Sequence, residues 1–280
     1  MVSELSLLFM STTLVITLVL PVVLIIAYAM VNRGEKTVSA WFLGAAGFVV
    51  FQLFLRSPIL SVLSSFEGFQ KFAGEHYIWY AIFLGFTAGL FEVMGRVCVA
   101  SILSERLTFE RGVAAGLGHG SVEAILLVGI TYISNLLYAT MINNGTYDSV
   151  IEETLAAGAD AAGLYAAKSA LTDTPAYVFG LAGFERILTM ICHLALSLVV
   201  CYFVAKKQTM KGVIISLAFH TVLDTGSGIL SGLGTAFLKD AVTQNTVYVL
   251  TYAFMILLTA LAVLAIKKIR DCWEYESQAA

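Results

Sequence analysis

The sequence predicts an all-α, polytopic membrane bundle of about seven transmembrane helices, and three observations carry that prediction. Hydrophobic residues make up 59% of the 280 positions and charged residues only 12%, whereas a soluble domain carries about a quarter charged residues. Mean hydropathy is +0.88. Apolar runs of about 20 residues, enough to cross the hydrocarbon of a bilayer, recur along the chain. The formal charge of −3 is small and points to no nucleic-acid partner. No polar linker interrupts the pattern, so one domain over residues 1–280 is expected.

The elements follow in order. The first run, Leu5–Val31, is too long for a signal-peptide core and lacks a clear cleavage site, so it reads as a retained helix. Val38–Leu55 and Tyr77–Leu103 follow. Between them, Arg56 to His76 is mixed, with Pro58, Glu67, Lys71 and Glu75, and reads as an interfacial or re-entrant helix. The fourth run is Gly112–Ala139. The acidic stretch after it holds Asp148, Glu152, Glu153, Asp160 and Asp173 around an alanine-rich surface helix. Asn144-Gly145-Thr146 fits a glycosylation sequon, a pattern too short to weigh. Ala176–Ala205, Gly212–Leu233 and Thr246–Ile266 complete the set, and the glycines of DTGSGILSGLG are expected to loosen the helix after Asp224. Cys98, Cys192, Cys201 and Cys272 have no spacing that suggests a disulfide framework or a zinc site.

Basic residues set the expected orientation. Arg33, Lys36, Arg106, Arg111, Lys206, Lys207, Lys211, Lys267, Lys268 and Arg270 flank one side, and Arg56, Lys71, Lys168 and Lys239 the other. The richer side is cytoplasmic, which puts the N-terminus outside and the C-terminus inside. Arg96 and Arg186 remain, and both lie within runs.

Those two arginines belong to a set of charges that a bilayer disfavours. The third run holds Glu92 and Arg96, the fourth His119 and Glu123, the fifth Glu185, Arg186 and His193, and the sixth His220 and Asp224. Each charged group at mid-bilayer costs about 2.5–3.5 kcal/mol on insertion scales and normally faces the bundle interior as part of a functional site. Counted from the cytoplasmic ends, Glu92, Glu123, His193 and Asp224 lie about 17 Å deep, and Arg96, His119 and His220 about 11 Å. Three of the pairs are spaced i, i+4, so each shares one helix face. Gly85, Gly89, Gly112, Gly116, Gly120, Gly228 and Gly232 allow close helix contact. Glu185 and Arg186 lie nearer the outer surface, outside this cluster. Adjacent on a helix, they point about 100° apart and need separate partners. The first, second and seventh runs contain no such charges and read as lipid-facing scaffold. His76 reads as a solvent-facing loop residue.

Any one pair has a plain reading. Glu92–Arg96 alone is a neutralised ion pair, His220–Asp224 a hydrogen-bonded stitch, and His193 a satisfied buried imidazole. Seven such groups at two adjacent depths are harder to explain that way. A carboxylate in a dry cavity can act as a general base, and a neighbouring histidine can carry its proton. An aspartate-held histidine can stabilise an oxyanion. The same groups, with His119, Glu123, His193 and His220 as candidates, suit a divalent metal such as zinc. No HExxH, nucleophile elbow, Walker or dinucleotide fingerprint is present. A proton-coupled transporter would use similar groups, but no inverted repeat is visible. A non-catalytic membrane scaffold is the third alternative.

FEVMGR, GHGSVEAI, the lone His193 after FER, and FHTVLD together resemble the YhfC-type membrane peptidases. That family is grouped with the CAAX-prenyl-protease and bacteriocin-processing superfamily of intramembrane proteases. The likeness covers nearly the whole chain in length and span order. It implies an integral protein of a bacterial cell membrane that cleaves a membrane-protein or peptide substrate within or beside the lipid. By resemblance, Glu92 and Arg96 match the first motif, Glu123 the second, His193 the third, and His220 with Asp224 the fourth. One departure stands out: Phe91-Glu92 replaces the superfamily's two glutamates, and the residue absent is the one usually taken as the base. Glu92 and Glu123 therefore both remain candidates for that role. Arg96 is expected to fix the local charge, His193 to partner the base, and His220 with Asp224 to form the oxyanion side.

Overall fold

A computed structural model describes residues 1–237 and 242–279; Lys239 lies outside the described residues. Among them no strand occurs, and ten helices follow one another, with a short π-helical turn at Leu233–Phe237 before the last. Seven are long and apolar enough to cross a membrane: α1 (Glu4–Val31), α2 (Thr37–Ser64), α4 (Tyr77–Arg106), α5 (Phe109–Asn144), α8 (Ala176–Ala205), α9 (Thr209–Ser231) and α10 (Gln244–Ala279). Three short helices lie between them: α3 (Glu67–Glu75), α6 (Thr146–Ala156) and α7 (Ala162–Asp173). The mixed segment after Leu55 leaves the span count unchanged. Its first part extends α2 to Ser64, and its second forms the surface-exposed α3. The sequon is a local turn, in which Asn144 Oδ1 accepts from the Thr146 N–H at 3.0 Å and Gly145 takes a φ of 86°.

The contacts divide the chain into two compact units. The smaller comprises Met1–Leu24 and Glu123–Ile187. Its core joins Met10, Tyr132, Ala139, Tyr147, Ile151 and Phe179. Thr13 Oγ1 and Tyr132 Oη both donate to the Phe179 carbonyl, at 2.7 and 2.9 Å. Asn143 clasps the amino end: its Oδ1 accepts from Val2 N–H at 2.7 Å and its Nδ2 donates to the Val2 carbonyl at 2.9 Å. Two π-helical turns, Val15–Val19 and Ala124–Gly129, meet where Gly129 faces Thr17 and Leu18.

The larger unit comprises Ile25–Val122 and Leu188–Ala280. Glycine sets its helix spacing, since a residue without a side chain lets two backbones touch. On α5, Gly112, Gly116 and Gly120 rest against Leu198, Leu194 and Met190 of α8. Each step of four along α5 is matched by a step of four back along α8, an antiparallel register. On α4, Gly85 and Gly89 rest against Thr225 and against Leu217 and His220 of α9.

Three sequence expectations change here. First, α2 is more than lipid-facing scaffold. A Cβ on Gly44 would stand 1.9 Å from the Ala115 carbonyl oxygen, and one on Gly118 would stand 1.9 Å from that of Trp41. With Ala40 and Phe48 fully buried, α2 is a core helix; having no charges does not mean it faces lipid. Second, Arg56 lies within the helical run of α2. Its Nη2 donates to the Leu84 carbonyl at 2.9 Å and its Nε to Thr87 Oγ1 at 3.3 Å, so α4 accepts it. Third, α9 stays helical to Ser231. Gly226 and Gly232 make room for the rings of Phe254 and Tyr77, so close approach, not loosening, explains them.

Candidate functional site

One atom organises the polar centre of the larger unit. Glu92 Oε2 accepts from Arg96 Nη2 at 3.0 Å and from His119 Nε2 at 3.0 Å, and lies 3.5 Å from both His193 Nδ1 and His220 Nδ1. Residues of α4, α5, α8 and α9 thus meet at a single carboxylate oxygen. Their exposures run from 1% for His220 to 4% for Arg96. The helix register explains the convergence. Gly116 and Gly120 bracket His119 and hold α5 close to α8, while Gly89 receives the His220 Cβ at the α4–α9 contact. The two depths expected from sequence merge because the side chains of Arg96 and the histidines bridge a helical turn.

The imidazoles form a row. Centroids of His119 and His193 are 5.1 Å apart, those of His193 and His220 5.4 Å, and Phe48 of α2 closes the His119 end edge-on at 5.2 Å. Arg96 Nη2 also donates to His193 Nδ1 at 2.7 Å and approaches His119 Nε2 at 3.2 Å. At the other end, His220 Nε2 is 3.1 Å from Asp224 Oδ2. Asp224 is the least buried of these side chains, with 37% of it exposed.

This donor set suits a divalent cation. The ligand atoms of Glu92, His119 and His193 lie within 4.8 Å of one another, and all three residues are buried. Two imidazoles and one carboxylate are a recurrent catalytic zinc set, and bonds of ~2.0–2.1 Å would space such ligands roughly 3.3 Å apart. The observed 3.0 and 3.5 Å from Glu92 to His119 and His193 bracket that spacing. A positive group already sits against these atoms, since Arg96 Nη2 contacts all three. To bind a cation, the set would have to release at least the Arg96 bond to His193 Nδ1.

Glu123 also enters an ionic group of the smaller unit. It ends the regular part of α5's first segment, one turn beyond His119, and opens the second stretch of the smaller unit. There its Oε1 accepts from Arg186 Nη1 at 3.0 Å, and Arg186 Nη2 donates to Glu185 Oε1. The adjacent Glu185 and Arg186 therefore bond each other, contrary to the expectation of separate partners, because the long guanidinium stem reaches back. Arg186 is 8% exposed, as is Glu123. Sequence reading missed this triad, although Arg186 lies seven residues before His193 and so shares its helix face. His76 is exposed, as expected.

Comparison with known proteins agrees with this architecture. The sequence model of the YhfC intramembrane metalloprotease family matches residues 16–244. An uncharacterized membrane protein, YhfC of Bacillus subtilis (strain 168), is 31% identical over 225 residues, covering 80% of this chain and 84% of its own. No solved structure matches the chain. With seven membrane-length helices, a buried glutamate–histidine centre and a family match over most of its length, this integral membrane protein belongs to the YhfC intramembrane metalloprotease family.

Proposed function

We propose that the protein is an intramembrane endopeptidase whose reaction centre is the Glu92–His119–His193–His220 cluster, acting on a peptide or membrane-protein substrate. The observation that carries this reading is the convergence of three imidazole nitrogens on Glu92 Oε2 within 3.5 Å, from three different helices. Structural ion pairs need no imidazoles. Three of them around one carboxylate supply groups of the kind that accept and donate protons in catalysis.

Glu92, His119 and His193 are the residues that would hold a divalent cation, zinc among them. Such a cation supplies an acidified water and polarises the scissile carbonyl. The chain's own groups supply the proton path. In the tautomer that donates Nε2–H to Asp224, His220 turns the lone pair of Nδ1 toward Glu92. Nδ1 can then take a proton from the attacking water as its oxygen bonds to the carbonyl carbon. Asp224 stabilises the imidazolium that results. As the carbon–nitrogen bond breaks, His220 returns the proton to the leaving amide nitrogen. This makes His220 a proton carrier rather than an oxyanion donor. Arg96 offsets the charge of Glu92 and lies within reach of the developing oxyanion. The excess of basic residues around Arg33, Arg106, Lys206 and Lys267 supports a cytoplasmic C-terminus and an external N-terminus.

The test is cleavage of a library of transmembrane peptides by the purified chain in proteoliposomes. Glu92→Gln and His220→Ala should each lower the rate of the folded protein by about 10²–10⁴-fold, and Glu92→Gln should also lower the melting temperature because it strands the buried Arg96. Elemental analysis of the same preparations should show a bound divalent metal that His119→Ala and His193→Ala lose. Cleavage that survives Glu92→Gln and His220→Ala together would refute the assignment.

A further inference from the structure

A second polar cavity of about 470 Å³ lies in the larger unit, at the helix ends. It is lined by Lys36, Ser39, Leu43, Ile102, Arg106 and Arg111, among others. Three membrane-length helices end around it: α2 begins at Thr37, α4 ends at Arg106, and α5 begins at Phe109. These positions place the cavity at the level of lipid headgroups. Its charge is one-sided, with the cations Lys36, Arg106 and Arg111 against a single lining carboxylate, Glu105.

The site is also built. Arg111 Nε donates to the Glu35 carbonyl and its Nη1 to the Arg106 carbonyl, both at 2.7 Å. Neither bond uses Nη2. Glu35 Oε2 in turn accepts from Thr108 Oγ1 at 3.1 Å. One arginine thus ties the α1–α2 connection to the α4–α5 connection and fixes the backbone from which Lys36 and Arg106 project. Glu35 Oε2 also stands 3.9 Å from Arg111 Nε and partly offsets its charge. Part of the cavity wall is apolar. Ile102 is 63% exposed and lies one turn further into its span than Arg106, and half-buried Leu43 lies about two turns further in than Lys36.

A ring of cations above an exposed apolar step matches a ligand with an anionic phosphate and attached hydrocarbon. We propose that this cavity binds the headgroup of an anionic phospholipid, with the phosphodiester held by Lys36, Arg106 and Arg111 and the first acyl methylenes against Ile102 and Leu43. The apolar step favours lipid over free phosphate, which has no use for it. The lipid would dock at the ends of α2 and α5, the helices that carry Phe48 and His119, and would brace them. This inference is independent of peptidase activity.

The experiment is native mass spectrometry of the detergent-purified chain titrated with phosphatidylglycerol, phosphatidylcholine or inorganic phosphate. The chain should take up phosphatidylglycerol in preference to phosphatidylcholine. The Lys36→Ala/Arg106→Ala double variant should bind it roughly 30-fold more weakly, the effect expected for two surface cations. The side chains removed are exposed, and the Arg106 carbonyl that Arg111 grips remains, so the melting temperature should hold. Lys267→Ala/Lys268→Ala removes the same charge from α10 and should leave lipid affinity unchanged. The proposal fails if the Lys36/Arg106 variant keeps its affinity or if the α10 variant loses as much. It also fails if equimolar inorganic phosphate displaces the lipid.

Discussion

Two buried ionic groups in this protein are built from opposite stoichiometries. In the larger unit, one carboxylate oxygen, Glu92 Oε2, is surrounded by a guanidinium and three imidazoles. In the smaller unit, one guanidinium, Arg186, is shared by two carboxylates, Glu123 and Glu185. The first group contains imidazoles, and the second only a guanidinium and carboxylates. The first is the more deeply buried, with side chains 2–4% exposed against 10–32% in the second. We read the imidazoles as what separates the proposed reaction centre from the structural group.

Four substitutions test that contrast and its frame. The largest effect is expected from breaking the structural group. Arg186→Met strands the buried Glu123 and the half-buried Glu185 and should cost about 3 kcal/mol of stability, read as a fall in melting temperature. Glu123→Gln leaves the Arg186–Glu185 bond and should cost less, with catalytic rate retained. A stable Glu123→Gln protein without activity would instead make Glu123 the base and erase the distinction between the groups. A smaller effect should follow from Asp224→Asn. It keeps the shape but no longer stabilises the His220 imidazolium, so kcat should fall about 10²-fold with KM and melting temperature little changed. An unaltered kcat would remove His220–Asp224 from the proton path. The smallest effect concerns the frame. Gly44→Ala forces a methyl onto the Ala115 carbonyl and should destabilise by about 1–3 kcal/mol, lowering melting temperature without altering cleavage by the folded fraction. Wild-type stability would show that α2 adjusts freely.

Much of this was legible in the sequence. Hydropathy located all seven spans, because a helix in lipid must be long and apolar whatever its partners, but the second runs on to Ser64 and the seventh past Ile266 into a polar end that hydropathy does not score. The i, i+4 pairs and their depths placed Glu92, Arg96, His119, His193 and His220 together. Two kinds of information were not available. Partner choice within an ionic group depends on side-chain reach, so Arg186 could not be assigned to Glu123 and Glu185. The role of α2 depends on backbone contact at Gly44 and Gly118. A hydropathy profile scores those glycines as unremarkable.

Those two backbone-on-backbone contacts also limit how the molecule can move. Where main chain presses on main chain there are no rotamers to absorb a displacement, so α2 and α5 keep a fixed separation and the Phe48 end of the histidine row stays shut. Under the proposed function, a polypeptide would enter from the opposite flank, along α9, where Asp224 is partly exposed.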